Sequence, residues 1–151
     1  MTKRQREVFL LALFSDLMAT HPQWHIDNHS KIEWSGQPRS IWPEADLSIN
    51  MPGRRFIVEY DEDSDPDRSL IKYWPILAQI NQTPVTTIEV LKRGQTIGQG
   101  YAVLAKWIGA KLMELYPQFV YHFIERSNKS SRETAAELAR IIQNGTSEAG
   151  T

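Results

Sequence analysis

Apolar residues first recur at helical spacing. From Lys3 to Thr20, Leu10, Phe14 and Leu17 repeat every three or four positions with Glu7, Leu11 and Met18 beside them, and His21-Pro22 closes the run, which predicts an opening helix. Three strand-like segments follow. Trp24 to Trp34 alternates loosely, Gly36-Gln37-Pro38 marks a turn, and Pro43-Glu44-Ala45-Asp46-Leu47-Ser48-Ile49 and Phe56-Ile57-Val58-Glu59-Tyr60-Asp61 each repeat with a period of two. Met51-Pro52-Gly53-Arg54 supplies turn residues over a hairpin's length. Ser64 to Asp67 reads as a helix start with acids in its first turn, leading into residues 70–80, which Pro75 kinks or divides. Val85 to Leu91, rich in β-branched residues, predicts a central strand, Gln99 to Leu115 a helix, Phe119 to Ile124 a fifth strand and Ser131 to Ile142 a final amphipathic helix. The expected class is α/β, a central mixed sheet flanked by helices in the order αβββαβ followed by αβα.

At 151 residues the chain is expected to form one domain over residues 1–143, with a flexible tail over 144–151. Hydrophobic content of 41% and charged content of 23% are those of a soluble globular protein, and no apolar run approaches the roughly 20 residues of a membrane span. The basic start, Met1 to Arg6, precedes an apolar stretch that contains Asp16 and no small-residue cleavage signal, so a cytoplasmic protein is expected. Zero cysteines exclude disulfides, thiolate catalysis and thiolate-rich zinc sites. The net charge of −1 hides an uneven distribution: six of the nine residues from Glu59 to Asp67 are acidic, whereas seven basic residues face three acidic ones from Pro84 to Arg132. An acidic cluster suits a divalent cation and a basic half suits a polyanion; the plainer reading of Glu62, Asp63 and Asp65 is solvated surface.

The chemistry is carried by acids set in apolar strands. A carboxylate leaving water needs a cation, a hydrogen-bonding network or a metal. Alternation puts Phe56, Val58 and Tyr60 on one face of their strand and Ile57, Glu59 and Asp61 on the other, so Glu59 and Asp61 project together. In the preceding strand Ala45, Leu47 and Ile49 are expected on one face and Asp46, Ser48 and Asn50 on a half-solvated one; antiparallel pairing would bring Asp46 beside Glu59.

This order of elements, with Pro43-Glu44-Ala45-Asp46 on the second strand and Glu59-Tyr60-Asp61 on the third, resembles the PD-(D/E)XK nuclease superfamily over roughly Glu7 to Leu91. The resemblance implies a restriction-endonuclease-like three-layer core and metal-dependent hydrolysis of phosphodiester bonds in nucleic acid, DNA before RNA. It implies Mg²⁺ or Mn²⁺ held by Asp46, Glu59 and the Tyr60 carbonyl, with Asp61 holding a second metal or orienting a lysine. Asp61 stands where the family's usual lysine is, and Lys72 on the following helix is the replacement, so the catalytic set is Asp46, Glu59, Asp61 and Lys72. Glu7 resembles an accessory acid of the superfamily. A homodimer is expected, since so small a domain has little room for separate recognition machinery; a separate recognition subunit is the alternative.

Competing readings stay open. Glu59 and Asp61 are also explained as structural acids paired with Arg54, Arg55 or Arg68, and Lys72 as a surface lysine. His21, His25 and His29 carry a weaker zinc reading, and the five tryptophans read as core before base-stacking platforms. The segment Gly94 to Gly100 lacks a P-loop lysine and reads as a turn near DNA. Two other functions compete with the nuclease: a catalytically inactive nuclease-fold nucleic-acid-binding or regulatory protein, for which Asp61 is the support, and a partner-binding α/β domain without nucleic acid, for which the near-zero net charge is.

Overall fold

The computed structural model describes residues 3–61, 66–79, 83–91 and 99–149. Five strands form one mixed sheet, β1 (His25–Lys31), β2 (Glu44–Met51), β3 (Arg54–Asp61), β4 (Val85–Leu91) and β5 (Phe119–Glu125), lying side by side in chain order. The first three are antiparallel and the last three parallel. Helices α1 (Lys3–Thr20) and α5 (Ser131–Ala149) cover one face; α2 (Pro66–Ile71), α3 (Trp74–Leu77) and α4 (Gln99–Leu115) cover the other. Among the described residues no helix is long and apolar enough to cross a membrane.

Local chemistry accounts for the joins. The β2–β3 hairpin turns on Pro52-Gly53, where proline supplies the first central φ and Gly53, at φ 78°, supplies the left-handed second one, the combination of a type II turn. Pro75 cannot donate to a preceding turn, and the predicted single helix is divided into α2 and α3, with Lys72 and Tyr73 at the break. The α1 stripe is rotated slightly from expectation: Phe9, Leu10, Leu13 and Leu17 are buried against the sheet, Phe14 is only partly so, and Leu11 and Met18 are exposed. The α5 helix runs past its expected end at Ile142 to Ala149, and Gly145 lies close enough to Phe56 that a Cβ would come within 3.1 Å of its ring. Glu62, Asp63, Asp65 and most of the Gly94–Gly100 segment lie outside the described residues, as do the side chains of Asp67 and Arg68.

One expectation is overturned. The second strand is not half-solvated: Ala45, Asp46, Leu47, Ser48 and Ile49 are all buried. Leu47 and Ile49 join the core under α1 and α5, whereas Ala45 joins the core under α2, α3 and α4. The neighbouring strand changes face at the same level, with Ile26 in the first core and Ile32 in the second. Between them His29 adopts φ 48°, a left-handed conformation uncommon outside glycine, and the registered pairs Asn28–Leu47 and Ser30–Ala45 flank it. An inner strand covered on both sides cannot keep a solvated face.

Packing of α4 on β5 is close at Gly109, where a Cβ would overlap the Tyr121 ring. Gly109→Ala should lower stability by about 1–2 kcal/mol in urea unfolding, because overpacking outweighs the gain in helix propensity. An unchanged or raised midpoint would show that the interface has room.

Candidate active site at the parting of β2 and β3

The β2–β3 ladder ends at the pair Leu47–Val58. Beyond it the backbone of Tyr60 turns to side chains. Its N–H donates to Asp46 Oδ2 at 2.8 Å, and its carbonyl accepts from Arg6 Nη2 at 3.0 Å. The same Arg6 nitrogen donates to Asp46 Oδ2 at 2.8 Å, so one ion pair serves both polar groups of a fully buried residue. Burial opposes the charge on Arg6, but Asp46, with Glu7 and Asp61 behind it, outweighs burial and raises its pKa. Asp46 is thus beside the strand segment carrying Glu59, displaced by one residue toward Tyr60.

Glu59 points to the α2–α3 side of the sheet, only 3% exposed. Lys72 Nζ lies 2.8 Å from Glu59 Oε1 and donates to the Glu44 carbonyl at 2.8 Å, while the buried Tyr73 hydroxyl donates to Glu59 Oε1. Consecutive residues of one helix diverge by about 100° and would not meet on a single carboxylate. The break before Pro75 lets Lys72 and Tyr73 do so. Asp61 accepts from Ser69 of α2 at 3.0 and 2.9 Å on its two oxygens. No direct bond between Asp61 and Lys72 accompanies this.

The charge environment is crowded with acid. Burial pushes the Glu59 carboxyl up to about 8; Lys72 and the bonds from Lys72 and Tyr73 pull it down, and the Asp46 charge pushes it up again. Burial likewise raises Asp61 to about 6, with Ser69, Lys72 and Arg6 opposing and Asp46 adding. Burial, Glu59 and its hydrogen bond raise the Tyr73 phenol well above its ordinary value, so it remains a donor. In register with Glu59 on β4 stands Glu89, fully buried, which together with burial raises the Tyr121 phenol.

Around this centre the other candidates separate. Glu7 Oε2 lies 3.0 Å from His29 Nε2, and His29 Nδ1 lies 3.3 Å from Glu44 Oε1, on the solvent side of Arg6. The three histidines do not meet: His21 stacks on Trp24 with centroids 3.9 Å apart, and His25 faces Asp27 at 3.2 Å. Arg54 donates to Thr86 and Arg55 to Asn50, so neither serves the strand acids as the structural reading expected. Of the tryptophans, Trp24 is buried, Trp34 and Trp42 are partly so, and Trp74 and Trp107 are exposed, which corrects the core reading for those two.

A cavity of about 620 Å³ beside Leu77, Val85 and Phe119 is at the opposite end of the sheet and has no carboxylate in its lining. A groove of about 240 Å³ lined by Glu7, His29, Asn28 and Asp46 opens beside the site. Among the described residues no group of three or more His, Asp or Glu side chains is close enough to hold a metal ion as it stands. The donors are nevertheless hard oxygens of the kind Mg²⁺ takes, and two of them, Asp46 Oδ2 and the Tyr60 carbonyl, already share one cationic nitrogen. By chemistry the set fits a divalent cation. The sequence reading missed Arg6, Tyr73 and Ser69. Arg6 was legible, because it extends the buried stripe Leu10, Leu13, Leu17 back by one turn, and a cation on a core-facing stripe needs an acid opposite.

Compared with protein-family models, curated proteins and solved structures, the chain matches none.

The raised Glu59 carboxyl has a signed consequence. Between its ordinary 4.5 and about 8 the folded protein holds a proton that the unfolded chain releases, so stability is complete at low pH and falls as pH rises through that window. Asp61 adds to the fall between 3.8 and about 6. In metal-free buffer, urea unfolding of the wild type should weaken from pH 5.5 to 8.5, and Glu59→Gln should flatten that slope. Equal slopes in the two proteins would place the proton elsewhere.

Proposed function

We propose that the chain is a metal-dependent nuclease of the PD-(D/E)XK, restriction-endonuclease-like type, hydrolysing phosphodiester bonds in nucleic acid and most readily in DNA. The observation that supports this reading is the buried Glu59–Lys72 pair at the carboxyl end of the parallel strands where β2 parts from β3, with Asp61 on the same strand and Asp46 near enough for its charge to act on Glu59. Strand ends of this kind are where open α/β sheets bind ligands. Element order is compatible with it: a helix, three antiparallel strands, the divided pair α2 and α3, then a strand parallel to the third.

Asp46, Glu59 and the Tyr60 carbonyl would hold Mg²⁺ or Mn²⁺. Such a cation, when bound, would supply charge neutralisation at the phosphate and a more acidic water. The chain's own groups do the rest. Lys72, half-exposed at the helix break, sets an ammonium against the developing negative charge, in the place of the lysine that Asp61 supplants. Tyr73 and the Glu44 carbonyl aim Glu59 and Lys72. Asp61, bonded to Ser69, ties α2 to the end of β3 and keeps that lysine within reach.

A second reading, an inactive nuclease-fold protein that binds nucleic acid, is favoured by Arg6 standing on two of the three donors. Cleavage separates the two. Supercoiled plasmid and single-stranded DNA should be cut only with Mg²⁺ or Mn²⁺, and Glu59→Gln or Lys72→Met should each slow cutting by about 100-fold or more. Asp46→Asn is preferable to alanine, because an amide oxygen still accepts from Tyr60. DNA binding without metal-dependent cutting would support the inactive reading, and absence of binding at low salt would exclude both.

A further inference from the structure

Arg6 is the one cation that touches both Asp46 and the Tyr60 carbonyl among the described contacts. A guanidinium nitrogen 2.8 and 3.0 Å from those two oxygens stands where a cation held by both would have to stand. Two positive charges cannot share it. Arg6 is held well but not sealed in: its side chain is 28% exposed, and its other terminal nitrogen already reaches Glu7 Oε1 at 3.4 Å. Glu7 lies on the groove side of the site, with His29 beyond it.

We propose that Arg6 is a resident cation that competes with the divalent metal for Asp46 and the Tyr60 carbonyl, so that metal entry and withdrawal of Arg6 toward Glu7 form one coupled step. The inference rests on the metal-dependent reading above. Without metal, Arg6 neutralises Asp46 and completes the hydrogen bonding of Tyr60, which keeps the strand ends in place. When metal binds, both oxygens change partner and Arg6 keeps Glu7. The cost of that exchange weakens apparent metal affinity.

Mn²⁺ binding, followed by calorimetry and by the loss of the free-ion electron-spin-resonance signal, tests the coupling without recourse to cleavage. Arg6→Gln should bind Mn²⁺ about tenfold more tightly than wild type, the order of one charge-assisted hydrogen bond. Arg6→Lys, which restores a cation, should return toward wild type, and Asp46→Asn should weaken binding in every background. In wild type, added Mg²⁺ should shift the Arg6 side-chain N–H resonance, a readout that needs no variant to fold. Equal or weaker Mn²⁺ binding by folded Arg6→Gln, or an Arg6 resonance that stays in place while Mg²⁺ binds, would overturn the competition and leave the metal site standing. Failure of both wild type and folded Arg6→Gln to bind Mn²⁺ would overturn the metal reading and this inference with it.

Discussion

The ion pair between Arg6 and Asp46 is the interaction on which this end of the molecule depends. The sheet opens between β2 and β3 beyond the pair Leu47–Val58, and there the Tyr60 backbone meets side chains. Buried peptide groups left unsatisfied cost roughly 1–3 kcal/mol each. Asp46 and Arg6 meet both needs at once, one accepting from the Tyr60 N–H and the other donating to its carbonyl. The pair also pins α1 to the strand ends. Arg126 does the same from the other direction, donating to the Tyr60 hydroxyl at 2.7 Å and lying over the Phe9 ring.

A second constraint follows from burying carboxylates together. The Asp46 charge acts on both Glu59 and Asp61, and Lys72 opposes it at each. Burial is the chief cause of the raised Glu59 and Asp61 carboxyls, and the Asp46 charge adds to it. Positive charge is favoured beside Asp46, and Arg6 supplies it. Lys72 could not have joined the cluster from an unbroken helix that also aimed Tyr73 at Glu59. Pro75, which reads in isolation as a disruption, is what allows both contacts.

Much of this was legible along the chain. The element order, the Pro52-Gly53 hairpin, the division at Pro75 and the shared face of Glu59 and Asp61 all follow from periodicity and turn chemistry, which act over a few residues. The return of Lys72 to Glu59 was readable as reach: a long stem one helix away from a buried acid. The alternation of β2 misled, because a period of two assigns faces only while the strand keeps its twist. At His29 and Asp46 two strands turn over together, and that depends on which layers lie above and below them. Trp74 and Trp107 misled for a related reason, since residue type alone does not say which side of a helix meets the sheet.

The amino-acid sequence by itself determined an α/β chain with acids embedded in its second and third strands, since hydrophobic period, proline and glycine act locally and identically in any surroundings. Only the tertiary structure decided which charges meet. Arg6 and Asp46 are forty residues apart, and their contact requires α1 to lie across the end of a sheet whose strands have parted. Long-range pairing of this kind is set by the packing of layers, which buries Glu59 deeply enough to raise its carboxyl and leaves Arg6 partly exposed. Whether an acid in a strand is a structural partner or a ligand is therefore written in the cation that stands beside it, and that cation is chosen by the fold.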